Sequence, residues 1–160
     1  MRSDQQIKID ITNSLSAVCR LANHMVKQGY DIQMDGFRIR SRKEDRFLFQ
    51  DSCDLAVKIE EEWRALEVKC RKDLFTCMAD FPRSTVFVDS KSKTFRRRKY
   101  PLLGFVQVSR DHEYGFFIHR DTREHWRIRR IRDGRDNVYT NMVICPKEYC
   151  NFFKIDKVVL

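Results

Sequence analysis

Three of the four histidines fall within 15 residues, in company with carboxylates: Asp111-His112-Glu113, His119-Arg120-Asp121 and Glu124-His125. If adjacent antiparallel strands brought these groups together, they would suit a metal-dependent nuclease or a general acid–base pair. The same stretches are also where a strand meander has to turn, and turns favour polar residues for their own backbone hydrogen bonding. His119-Arg120-Asp121 matches a kinase catalytic-loop fragment as well. There, however, Trp126 stands where a metal-binding Asn is needed, and no glycine-rich phosphate loop is present. No catalytic residues are assigned on this basis.

The six cysteines are the other reactive side chains. Cys145 and Cys150 have four residues between them, and Cys70 and Cys77 have six. Neither pair is the two-residue knuckle typical of structural zinc. No metal and no cofactor are therefore expected, and no particular Cys–His pair stands out as nucleophile and base. Cys19 and Cys53 read as small core residues. The N-terminus, Met1-Arg2-Ser3-Asp4-Gln5-Gln6-Ile7-Lys8, has no apolar signal segment. No uncharged apolar run reaches the roughly 18 residues of a membrane span. The expectation is an intracellular protein, cytoplasmic or nuclear, with no membrane partner and six free thiols.

Charge gives a stronger signal. Residues 1–80 carry 14 Lys+Arg against 14 Asp+Glu, while residues 81–160 carry 18 against 9, so the whole net charge of +9 belongs to the second half. It falls in two clusters. The first is Lys91, Lys93, Arg96, Arg97, Arg98 and Lys99, with Phe95 and Tyr100 among them. Arginine forks grip phosphate oxygens bidentately, and such rings stack on bases. The second cluster is Trp126, Arg127, Arg129, Arg130, Arg132 and Arg135. As a strand it would put Arg127 and Arg129 on one face and Trp126, Ile128 and Arg130 on the other. Ile131 breaks the alternation and suggests a bulge near Arg129-Arg130. A basic ribbon with its tip at Asp133-Gly134 has the dimensions to enter a major groove. The plainer reading of both clusters is a solvated basic face.

The supporting elements follow from periodicity. Leu15, Val18, Ala22, Met25 and Val26 predict a helix over about 13–27, extendable toward Asp4, with Gly29 as its stop. Alternation on either side of Asp35-Gly36 predicts a hairpin, Tyr30–Met34 with Phe37–Arg40. Leu55, Ile59, Trp63, Leu66, Cys70, Leu74 and Cys77 step by three and four. They predict a long helix over 52–79, with Lys69 among the residues of its polar face. Its heptad-like spacing opens the way to a homodimer through the 52–79 helix. After Pro82 the period becomes two, with strands at 85–89, 102–109, 114–120, 125–132, 137–144 and 152–159.

The fold class is thus α+β: N-terminal helices with a short β-hairpin, packed on or beside a C-terminal antiparallel β-meander, either an open sheet or a partial barrel. Residues 1–160 form one domain, with two lobes, 1–82 and 83–160, as the alternative division. The functional expectation is a non-catalytic nucleic-acid-binding or regulatory protein, with RNA or a single strand slightly preferred over duplex DNA. Two rivals stand beside it: an adaptor or inhibitor docking its basic face on an acidic protein, and a small metal-dependent nuclease built on the 111–125 cluster.

Overall fold

The computed structural model describes residues 4–34, 53–133 and 138–155. The chain opens with α1 (Asp4–Lys27), which buries Ala17, Val18, Leu21 and Ala22 along one stripe. Gly29, at φ 88°, ends it in the left-handed conformation that a glycine adopts without penalty. The strands follow as β1 (Ile32–Gln33), β2 (Leu55–Ile59), β3 (Glu62–Cys70) and β4 (Thr85–Ser90). After the single turn of α2 (Lys91–Thr94) come β5 (Leu102–Val108) and β6 (Tyr114–His119). A 3-10 turn at Arg120–His125 leads to β7 (Arg127–Asp133), β8 (Val138–Pro146) and β9 (Asn151–Lys154). No helix among the described residues is long and apolar enough to cross a membrane.

Six strands form one open mixed sheet in the order β1-β2-β3-β5-β6-β9, and three form a second in the order β4-β8-β7. All pairings are antiparallel except β3 with β5. The α+β, mostly antiparallel expectation holds. The large sheet joins strands from both sides of residue 82.

Residues 53–79 hold no helix, which corrects the long helix expected at 52–79 and removes the basis for a dimer through it. Leu55–Ile59 instead pairs with Glu62–Leu66 as a hairpin closed by Glu60 and Glu61. Both turn residues have positive φ, 47° and 67°, as a tight primed turn demands. The apolar stripe was misleading because β3 is covered on both faces. Ala65, Leu66, Glu67 and Val68 are all buried in succession, so the strand has no period of two to display. Of the expected 30–40 hairpin, Ile32–Gln33 pairs with β2, and Phe37–Arg40 lies outside the described residues. The register of β7 against β8 runs unbroken from Arg127↔Ile144 to Asp133↔Val138, so no bulge occurs at Arg129-Arg130.

The faces of the large sheet are covered differently. Leu66 and Val68 of β3, with Val106 and Val108 of β5, pack against Val18 and Leu21 of α1. On the opposite face Phe105, Phe116 and Ile118 meet Val86, Val88 and Val143 of the small sheet. Residues that alternate with Leu66 and Val68 must therefore point toward the small sheet. Two of those, on β3, are Glu67 and Lys69.

Candidate functional site

Glu67 is only 4 % exposed, and Gln107 on the adjacent β5 (0 %) and Asp89 on β4 of the small sheet (8 %) are buried too. Gln107 is the direct β5 partner of Lys69, so their side chains lie side by side on the face turned to the small sheet. Asp89 reaches the same space from β4, next to a register shift between Phe87 and Asp89 that ends the strand's regular alternation. Lys69 Nζ stands 3.3 Å from Asp89 Oδ2. Asp54, just before β2, accepts the Val68 N–H through Oδ2 at 2.7 Å, which fixes its carboxylate beside the Glu67–Lys69 segment. Gln107 donates to the Val88 carbonyl at 3.2 Å, yet its buried Oε1 accepts no hydrogen bond among the described residues. Burial disfavours the Lys69 ammonium, but the carboxylates of Asp89, Asp54 and Glu67 outweigh it and raise its pKa above the ordinary value. Lys69 is charged.

The basic loop closes over this cluster. Arg96 donates to Glu67 Oε1 at 2.7 Å, and Arg98 donates to the same oxygen at 2.9 Å. Arg98 also donates to the carbonyls of Thr94, Arg96 and Lys93, and its side chain is 4 % exposed. Arg98 is therefore an anchor of the loop rather than a surface phosphate contact. Lys91, Lys93, Arg97 and Lys99 remain exposed. The charge of Lys69, with burial, lowers the pKa of Lys93. Tyr100 is turned inward: its hydroxyl meets Gln33 at 3.2 Å, and its ring lies 6.4 Å from that of Trp63. Trp126 donates its indole N–H to Thr122 Oγ1 at 2.9 Å and packs edge-on against Phe105. It is partly buried and belongs to the core between the sheets.

Arg127, Arg129, Arg130 and Arg132 are all exposed on β7, which forms the expected ribbon with β8. Strand β4 pairs with β8 only from Met142 to Pro146. Beyond that, Arg130–Asp133 and Val138–Asn141 pair only with each other among the described residues, and Ile128, Val138 and Tyr139 are 52 %, 51 % and 64 % exposed. Arg135 lies outside the described residues. Between α2 and this ribbon lies a groove of about 580 Å³ that includes Lys91, Phe95, Tyr139 and Asn141 in its lining. A second groove, of about 370 Å³, is lined by Phe95, Arg96, Arg98, Arg120, Arg123 and Trp126, among others. Phe95 of the loop thus lines both grooves, and Tyr139, Thr140 and Asn141 of the ribbon share the larger one with it.

No family model, curated protein or solved structure matches this chain. Function has to be argued from its own chemistry.

The polar cluster at 111–125 does not converge. Asp111–Glu113 precedes β6 and His119–His125 ends or follows it, so a six-residue strand of roughly 17–20 Å separates them. Asp111 caps its own turn, bonding Ser109 Oγ and accepting the Glu113 N–H at 3.1 Å. His119 accepts the Asp121 N–H as a cap, and His125 stacks on Tyr149 at 3.7 Å. His112 turns instead to Cys70, with Nε2 3.2 Å from Sγ and Nδ1 3.3 Å from Ser16 Oγ. Burial pushes the Cys70 thiol up and the His112 imidazole down, so the pair is neutral rather than an activated thiolate. All six cysteines are free, and no three His, Cys, Asp or Glu side chains among the described residues are grouped to hold a metal.

Sequence reasoning missed Asp54, Glu67, Asp89 and Gln107. The signal available was Glu67-Val68-Lys69, two ionic residues two apart within an apolar run, once that run is read as a strand buried on both faces.

Proposed function

We propose that this protein binds nucleic acid on its basic face and hydrolyses phosphodiester bonds, with a divalent cation held near Asp54 and Glu67. One observation carries the reading: buried Glu67 and half-buried Lys69 stand on the face of a central strand turned to the small sheet, beside Gln107, whose buried oxygen is unsatisfied among the described residues. Burying ions costs several kcal/mol each. Anchoring the loop accounts for Glu67 with Arg98, but it leaves the Gln107 oxygen without a hydrogen-bond partner among the described residues.

The donors are hard oxygens, which suit Mg²⁺ or Mn²⁺. Mg²⁺ takes one or two carboxylates and completes its shell with waters and substrate phosphate oxygens, so a set of three protein acids is not required. Asp54 and Glu67 would supply the carboxylates, and Gln107 a neutral oxygen. Bound there, the cation would act as a Lewis acid on the phosphoryl group. Lys69 carries a compact, permanent charge where negative charge develops on the phosphoryl oxygens. Arg96, 34 % exposed and bonded to Glu67, stands where a phosphate would approach. A water oxygen would bond to phosphorus and release one proton to solvent, the phosphorus–sugar oxygen bond would break, and the departing oxygen would take one proton from solvent. The exposed lysines and arginines provide the grip, without sequence preference.

The test is cleavage of end-labelled single-stranded and duplex oligonucleotides, DNA and RNA, in Mg²⁺, Mn²⁺ or EDTA. Cleavage with metal and none in EDTA is expected. Lys69→Ala and Asp54→Asn should slow it by about 10²–10³-fold at a temperature where circular dichroism shows each variant folded, with affinity retained. No cleavage by the wild type in either metal, or either variant cleaving at the wild-type rate, overturns the reading.

A further inference from the structure

We propose that the groove between α2 and the β7–β8 ribbon takes a single unpaired nucleic-acid strand, with Phe95 and Tyr139 as its stacking platforms. Phe95 is 43 % exposed and Tyr139 64 %, and each forms part of the groove wall. Large rings open to water inside a cleft are costly unless something covers them. Each also has a guanidinium against it: Arg123 lies 4.5 Å from the Phe95 ring centroid, and Arg130 4.9 Å from that of Tyr139. Lys91 stands in the groove lining itself, and the two guanidiniums back its rings from outside that lining, so bases could stack on the rings while phosphates meet these cations. A duplex keeps its bases stacked inside and has no use for such platforms.

Phe95 also lines the neighbouring groove, whose wall includes Arg96 and Arg98, the two side chains that hold Glu67. A strand stacked on Phe95 would therefore pass Arg96 and Arg98, the side chains that separate the groove from Glu67. This inference rests on the proposed nuclease reading for what happens to the strand, but not for the binding itself. The groove makes the unpaired strand the substrate class, and the ribbon its outer clamp.

Fluorescence anisotropy in EDTA, where no cleavage occurs, measures binding alone. The probes are a labelled dT 15-mer, a rU 15-mer and a mixed-sequence duplex of equal length. Either single strand should bind at least about tenfold more tightly than the duplex. Phe95→Ala and Tyr139→Ala should each weaken single-strand binding by roughly 5- to 150-fold, with the salt dependence little changed. Ile128→Ala, on the ribbon but not part of the groove lining, should bind as the wild type does. The dT and rU arms distinguish DNA from RNA. Duplex binding as tight as single-strand binding, or full affinity in Phe95→Ala and Tyr139→Ala, overturns the groove proposal, including the case in which only an acidic protein binds this face. Normal single-strand binding with no cleavage in Mg²⁺ or Mn²⁺ overturns the nuclease reading alone.

Discussion

Removing Arg98 while keeping Glu67 would leave a carboxylate buried with half its partners. Arg98→Met deletes the 2.9 Å bond from Nε to Glu67 Oε1 and three further bonds to the carbonyls of Thr94, Arg96 and Lys93. Breaking one side of a buried ion pair costs about 3–5 kcal/mol. Arg96 still donates to Glu67, which places the expected loss near about 3 kcal/mol. In a chain of 160 residues, each kcal/mol lowers the melting temperature by about 2–4 °C, so the variant should melt about 6–12 °C below the wild type. Arg96→Met is the contrast. That side chain is 34 % exposed, and Arg98 continues to satisfy Glu67, so a loss of about 1 kcal/mol or less is expected. The double variant Glu67→Leu with Arg98→Met replaces the pair by apolar groups, a change that is often neutral or stabilising, and should recover most of the loss. Thermal melts followed by circular dichroism decide the matter. An Arg98→Met variant that melts within about 2 °C of the wild type would show that the pair does not hold the loop. A double variant less stable than the single one would locate the cost in packing rather than in the orphaned charge.

Other perturbations probe separate parts of the molecule. Leu66→Ala, at 1 % exposure on β3, should cost about 2–5 kcal/mol in denaturant unfolding. Gly104→Ala places a methyl against the Ile118 carbonyl of the neighbouring strand, inside van der Waals contact, and should destabilise the protein where Leu103→Val does not. His112 is held below the ordinary histidine pKa, mainly by burial, so the folded state binds fewer protons than the unfolded chain. Stability should therefore rise with pH up to about 6.5 and fall as pH drops through the folded value, and His112→Gln should flatten that acid limb of a melting profile. Alkylation under native conditions followed by mass spectrometry should label exposed Cys19 first and buried Cys53, Cys145 and Cys150 last, with no disulfide recovered.

The strands after Pro82 were legible because they alternate and are punctuated by turns, as at Asp111–Glu113 between β5 and β6. The segment before it was not. Glu60-Glu61 carries none of the usual turn chemistry, and the steps of three and four from Leu55 to Cys77 cross two strands and a loop. One period error had a second consequence. Read as a helix, the segment sent Lys69 to solvent, so the ionic cluster around Glu67 escaped notice, while the loop and ribbon cations were found from composition alone. Arg98 illustrates the limit of composition: its neighbours Arg97 and Lys99 are exposed, and nothing in the run of cations says which one turns inward.

The order in which the chain visits its sheets has a consequence for what can be cut away. Strand β4 is laid down between β3 and β5, and β7 and β8 between β6 and β9, so the small sheet is threaded twice through the large one. Neither sheet is a contiguous length of chain, and no single truncation frees one from the other. A fragment ending at residue 126 would lack β9 and the buried Ile155, which belongs to the α1 core. The molecule should therefore resist being divided into working parts, and limited proteolysis should yield either intact protein or small peptides. The outer half of the ribbon is the exception. In Arg130–Asp133 and Val138–Asn141 the strand ladder, among the described residues, joins only these two segments, so beyond the groove formed by Tyr139–Asn141 the ribbon's length is not fixed by a third strand. Reach toward a partner is the property this architecture leaves free to vary.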